Sequence, residues 1–94
     1  MDIQFTFKHM DGSEAVKTHA SEKSEHFKHY IQSNLSVKWI FFVEHGQHIA
    51  HVKANGKHID IFAEASENNM YASIDKAAKK LEDQLVKIKE KKTK

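Results

Sequence analysis

The segment Asn69-Met70-Tyr71-Ala72-Ser73-Ile74-Asp75 decides the reading of this 94-residue chain. Asn69 stands where a helix N-cap belongs, because its short side-chain oxygen can accept from a free amide of the first turn. Downstream, Met70, Ile74, Ala77, Ala78, Leu81, Leu85 and Ile88 recur at helical spacing and mark the buried stripe of a long amphipathic helix. The same helix carries much of the basic charge. Residues 70–94 hold eight of the fifteen lysines against four acids, whereas residues 1–69 hold seven lysines against nine acids. The small positive balance of +2 is thus concentrated in one element, which points to a polyanionic partner.

Working back from that helix, Ile59, Ile61, Ala63 and Ala65 alternate as a strand does, and Asn55-Gly56 before them is the preferred dipeptide of a two-residue type I′ hairpin. Ile49 to Ala54 predicts the preceding strand, and His45-Gly46 the turn before it. From Leu35 to Glu44 the β-branched and aromatic run Val37-Lys38-Trp39-Ile40-Phe41-Phe42-Val43 favours another strand. Asn34 is the expected stop of a helix that Ser13 caps and that runs from about Glu14 to Gln32, with Val16, Ala20, Phe27 and Ile31 on its apolar side. Ile3, Phe5 and Phe7 alternate with Gln4, Thr6 and Lys8 as the first strand, ended by an Asp11-Gly12 turn. The order β-α-β-β-β-α predicts an α+β sandwich, a four-stranded sheet with two helices packed on one face, similar to a double-stranded-RNA-binding domain. Residues 1–94 read as a single domain whose last lysines fray.

Composition narrows the function classes. Nine aromatics and an apolar fraction of 39% supply one small core. With no cysteine there is no disulfide framework and no thiolate metal site. No basic-plus-apolar leader opens the chain and no run approaches the roughly 18–20 apolar residues of a membrane span, so the expectation is a soluble, cytoplasmic protein with no membrane partner. All basic residues other than histidine are lysines. Lysine is a mobile point charge suited to phosphates but lacks the planar fork that reads guanine edges, so contact with a nucleic-acid backbone is favoured over base-specific readout.

At about 100° per residue, Lys76, Lys80, Lys87, Lys91 and Lys94 fall within a sector of roughly 60° on the last helix, away from its apolar stripe. Such a rail would contact phosphates and give a steep salt dependence. On the first helix, His19, Lys23, His26 and Tyr30 follow at spacings of four, three and four. They are either boundary residues over the core edge or a second wall of the same groove, with Tyr30 stacking and His26 and Lys23 meeting phosphate. Tyr71 is expected to bury its ring, and Asp75 to complement the helix N-terminus.

Trp39, Phe41 and Val43 should share one sheet face and Ile40 and Phe42 the other. The helices can cover only one face, which leaves the open one for weak self-association or another protein contact. The pairs His26/His29 and His48/His51 lack a ligand set, since a spacing of three on a strand places side chains on opposite faces and the helical pair has no third ligand. No cofactor, metal site or catalytic constellation emerges, so the chain does not read as an enzyme.

Asn69-Met70-Tyr71-Ala72-Ser73-Ile74-Asp75, followed by Lys80-Leu81, Gln84-Leu85 and Lys87-x-Lys89-x-Lys91, resembles the signature of the ribosome hibernation promoting factors and ribosome-associated inhibitors, also called sigma-54 modulation proteins. Ser13-Glu14-Ala15-Val16-Lys17 and the run from Val37 to Glu44 resemble the family's first helix and second strand. Asn69 stands for the family's Asp, and Asp83 stands where it often has Arg. The resemblance implies the same β-α-β-β-β-α fold. It also implies a translation inhibitor that occupies the messenger and transfer RNA channel of the small ribosomal subunit, against its rRNA, and promotes hibernation in stress or stationary phase. The chain resembles the family's short form. The residues expected to meet RNA are Lys23, His26, Tyr30, Lys76, Lys80, Lys87 and Lys91. The alternative expectation is a divergent member with weak ribosome affinity that acts as a protein-interaction module through its open sheet face.

Overall fold

The computed structural model describes residues 1–31 and 34–92. Its elements are β1 (Asp2–Phe7), α1 (Glu14–Glu25), a 3₁₀ turn (His26–His29), β2 (Ser36–Glu44), β3 (Gln47–Gly56), β4 (Ile59–Glu67) and α2 (Met70–Lys92). The strands form one sheet in the order β1-β2-β3-β4, with β1 parallel to β2 and the other pairs antiparallel. This is the predicted α+β arrangement of a four-stranded sheet with two helices. The expected fraying falls partly on Thr93 and Lys94, which lie outside the described residues.

Two local expectations are corrected. The first helix ends at Glu25 rather than near Gln32, itself outside the described residues, and tightens into the 3₁₀ turn. The His26 amide donates to the Lys23 carbonyl three residues back, the tighter spacing of a 3₁₀ turn, rather than four back as in the α-helix. That turn leaves Phe27 and Ile31 buried where the chain leaves for β2. Asn55-Gly56 is not the hairpin turn but the end of β3, and the turn residues are Lys57 and His58. His58 takes the left-handed conformation at φ 64°. Gly56 is needed for space instead: a Cβ there would lie 3.0 Å from Leu35 Cδ2 and 3.1 Å from the Asn34 carbonyl oxygen. The β2–β3 turn follows expectation, with φ 51° at His45 and 76° at Gly46, the double positive of a type I′ turn.

The core lies between the sheet and the helices. Trp39 and Phe41 of β2, Phe27, and Ile74, Leu81 and Leu85 of α2 are fully buried. Val43 follows the same alternation but sits at the sheet's end and is 48% exposed. One polar relay crosses this core. Trp39 Nε1 donates to Ser24 Oγ at 2.8 Å, and Ser24 Oγ donates to the Ala20 carbonyl at 2.8 Å, so the buried indole N–H of β2 is satisfied by α1. At the start of α2 the Ala72 amide donates to Asn69 Oδ1 at 2.9 Å, which makes Asn69 the N-cap. The buried Ser73 hydroxyl donates to the His48 carbonyl and anchors α2 on β3.

The two sheet edges differ. Along β4, Lys80 Nζ donates to the Glu64 carbonyl at 2.9 Å and Gln84 Nε2 to the Phe62 carbonyl at 2.7 Å, so side chains of α2 occupy acceptors of that edge strand. β1 is the other edge, paired among the described residues with β2 alone. Its residues Ile3, Phe5 and Phe7 are half-buried, with Phe7 tilted on Phe41 at a centroid distance of 5.0 Å.

Candidate RNA-binding surface

The helical period of α2 determines what its charges can reach. Asp75 and Glu82 project within roughly 20° of each other toward α1, while Lys76, Lys80 and Lys87 lie roughly 100–140° around the cylinder from Asp75. The contacts agree. Lys76 Nζ lies 3.1 Å from Glu67 of β4, and Lys80 reaches the β4 backbone. Lys87 is exposed. The lysine rail is therefore the flank of α2 above the β4 edge rather than the crest directly opposite the core. Lys91 continues α2, but its side chain lies outside the described set, and Lys94 is outside the described residues altogether.

The seam between the helices has different chemistry. His19 Nε2 lies 2.6 Å from Asp75 Oδ1, with Lys23 Nζ 3.5 Å from the same oxygen, and His26 Nδ1 is 3.5 Å from Glu82 Oε1. His19 and Lys23 of α1 and His26 of the 3₁₀ turn thus face carboxylates of α2. The seam and the lysine flank lie on opposite sides of that helix and do not form one continuous positive strip. Tyr30 is partly buried against the core, and the His26 ring stacks near His29 at 6.2 Å. Tyr71, expected to bury its ring, is 43% exposed and meets the edge of His19 at 5.2 Å. Asp75, expected to complement its own helix terminus, is instead the link that joins α2 to α1.

Asp83, where the resemblance leads one to expect Arg, hydrogen bonds Lys79 Nζ at 2.8 Å one turn away. That bond, reinforced by the carboxylate's charge, raises the Lys79 pKa above its ordinary 10.5. The two side chains therefore largely offset each other's field on the outer crest of α2.

The open sheet face carries a cluster whose β2 part the alternation foretold and whose remainder it did not. Phe42 meets the edge of His51 at 5.2 Å, His51 meets Phe62 at 5.3 Å, and His51 Nε2 lies 2.9 Å from Glu64. Phe62 is 48% exposed, and Lys8 Nζ stands 5.5 Å from the Phe42 ring centroid. The missed signal lies in the strand register, which sets His51 beside Glu64 and Lys53 beside Phe62. Three of the eight histidines have a backbone explanation, for His9, His45 and His58 all sit at positive φ, a region histidine enters more readily than most residues. No group of three or more metal-ligating side chains occurs among the described residues.

Fold and surface together define a small α+β domain that presents lysines along one flank of its long helix. The chain belongs to the family of sigma 54 modulation proteins and S30EA ribosomal proteins, which it matches over residues 3–93. It is similar to a ribosome hibernation promoting factor of Azotobacter vinelandii, 29% identical over 91 residues that cover 97% of this chain and 85% of that protein. Among solved structures it resembles a ribosomal subunit interface protein from Coxiella burnetii, with a TM-score of 0.80 and 29% identity over 95% of this chain and 98% of that one. The Thermus thermophilus Protein Y N-terminal domain shares the fold at a TM-score of 0.87 and 20% identity, covering 94% of this chain and 99% of that one. Proteins of this family are ribosome hibernation factors and not enzymes. Among the described residues no helix is long and apolar enough to cross a membrane.

Proposed function

We propose that this protein is a cytoplasmic, ribosome-binding translation inhibitor that lies in the messenger and transfer RNA channel of the small subunit. There it promotes ribosome hibernation under stress or in stationary phase. Family membership supports the ribosomal part of this reading, as do the similar hibernation promoting factor and subunit interface protein. The observation that carries the RNA part is the grouping of Lys76, Lys80 and Lys87 on one flank of α2, away from the carboxylates of the helix seam. Lysines on a single flank follow a phosphate backbone without reading its sequence, as suits a factor that binds by shape and charge. Lys23 and His26 contribute at the seam when RNA phosphates compete with Asp75 and Glu82 for them, and Tyr30 offers its ring beside them. Helical spacing alone makes Lys91 a candidate to extend the flank.

Co-sedimentation with purified small subunits over a salt series tests the reading. Binding should be tight at low salt and fall steeply as salt rises. Lys76→Glu combined with Lys87→Glu should abolish it, while the thermal melt stays nearly unchanged because neither side chain is in the core. Lys80 is spared, since it also caps the β4 edge. No co-sedimentation of the native protein at low salt, or undiminished binding by the double variant, would sink the proposal.

The exposed Phe42–His51–Phe62 cluster favours a second reading, a protein-interaction module working through the open sheet face. A Phe62→Asp variant separates the two: it should leave ribosome binding intact under the first reading and remove partner capture under the second.

A further inference from the structure

The two edges of the sheet are treated differently: β4 has side chains of α2 on its backbone carbonyls, whereas among the described residues β1 pairs with β2 alone. The amides of Asp2 and Lys8 donate to the Leu35 and Phe41 carbonyls of the β2 side. In a strand, N–H and C=O of one residue point the same way and alternate along the chain. Even-numbered residues of β1 therefore bond to β2, and Ile3, Phe5 and Phe7 direct their N–H and C=O groups outward. None of the usual blunting devices, proline, a bulge or a charge within the strand's middle, lies between Ile3 and Phe7.

The segment Asp2-Ile3-Gln4-Phe5-Thr6-Phe7-Lys8 is also complementary to its own reverse. We propose that β1 is a self-recognition edge that pairs antiparallel with β1 of a second copy of this chain, centred on Phe5, to give a continuous eight-stranded sheet. That register sets Phe5 against Phe5, Ile3 against Phe7, Gln4 against Thr6 and Asp2 against Lys8 of the partner. The residues with outward N–H and C=O groups fall in the hydrogen-bonded pairs, so the strands exchange six backbone bonds without losing any to β2. The faces match as well. Ile3, Phe5 and Phe7 are on the helix side with Trp39 and Phe41, where cross-strand apolar pairs extend the core, and Gln4 meets Thr6 on the open face. Opposite charges close both ends, and the turn at His9, with φ 57°, ends the extended segment just past Lys8. A two-fold axis normal to the sheet relates the copies, so both helix layers lie on the same face.

The proposal goes beyond the ribosomal reading and is tested without ribosomes. Sedimentation equilibrium of the native protein should show a reversible dimer. Asp2→Lys or Lys8→Asp alone places like charges opposite each other at both ends and should weaken dimerisation roughly ten- to thirty-fold. The two together restore it. Because the chain has no cysteine, register can be read directly. A mixture of Gln4→Cys and Thr6→Cys proteins should form a mixed disulfide under mild oxidation, since that pair lies at about 4.5 Å between Cα atoms, whereas each variant alone should not. Thermal melts confirm that each variant is folded. A monomer across the whole concentration range, failure of the double swap to restore association, or cross-linking that ignores the register would overturn the proposal. Unchanged dimerisation by Lys76→Glu with Lys87→Glu keeps this result separate from that of the ribosome test.

Discussion

Ser24→Ala isolates the polar relay under the sheet. Trp39 Nε1 and Ser24 Oγ are 2.8 Å apart and both residues are fully buried, so removing the hydroxyl strands an indole N–H where water cannot reach it. A stranded buried donor costs about 1–3 kcal/mol. Alanine returns about 0.5 kcal/mol, because serine is the poorer helix former and position 24 lies within α1. The net loss is then about 1.5 kcal/mol, and in a domain of this size it corresponds to a fall in Tm of about 6–12 °C. Trp39 is the only tryptophan, so urea unfolding followed by its fluorescence reads the change at its source. The control is a double-mutant cycle with Trp39→Phe, followed by circular dichroism. In that background no N–H remains to strand, and Ser24→Ala should be neutral or stabilising by a few tenths of a kcal/mol. A Ser24→Ala protein as stable as the native one, or an equal cost in both backgrounds, would refute the stranded indole N–H as the cause.

Asn69→Ala removes the acceptor of the Ala72 amide and should cost about 1 kcal/mol in urea unfolding, with Asn69→Asp near neutral. Gly56→Ala drives a methyl against Leu35 and the Asn34 carbonyl. About 1–3 kcal/mol of overpacking against about 0.5–1 kcal/mol of recovered chain entropy leaves a net destabilisation of about 1 kcal/mol, and a Tm at or above that of the native protein would refute it. Lys79 has a raised pKa in the folded state, so its pairing with Asp83 contributes fully below its ordinary value and is lost as pH rises through the raised one. The effect is small because the pair is exposed. Lys79→Met should flatten the decline in stability that urea midpoints show at alkaline pH.

Element order and the buried stripe of α2 were legible in the sequence because periodicity is set by which residues must leave water. Ala77, Leu81 and Leu85 announce that helix as clearly as Trp39 and Phe41 announce β2. Turn chemistry was less legible where packing competed with it. Asn55-Gly56 has the preferred hairpin composition, yet Gly56 is required for the approach of Leu35, and the turn passes to Lys57 and His58. The end of α1 was hidden for a similar reason, since nothing local marks the point where burial of Phe27 tightens the helix. The site was legible in composition but not in partnership. Helical spacing places Lys76, Lys80 and Lys87 together, but only the packing of α1 on α2 shows that Lys23 and His26 face Asp75 and Glu82. Likewise, Lys80 and Gln84 read as surface residues until β4 is seen beneath them.

The parallel pairing of β1 with β2 also shapes the route by which the chain assembles. Strands β2, β3 and β4 are joined by two-residue turns, so each hairpin can zip from its own turn with little loop entropy to overcome. β1 has no such start: Asp2 pairs with Ser36, and α1 with its 3₁₀ turn lies between them in sequence. Its docking needs the largest loop closure in the sheet and gains fewer local contacts in return. The first of these four strands in sequence is therefore the one that must wait longest for its place.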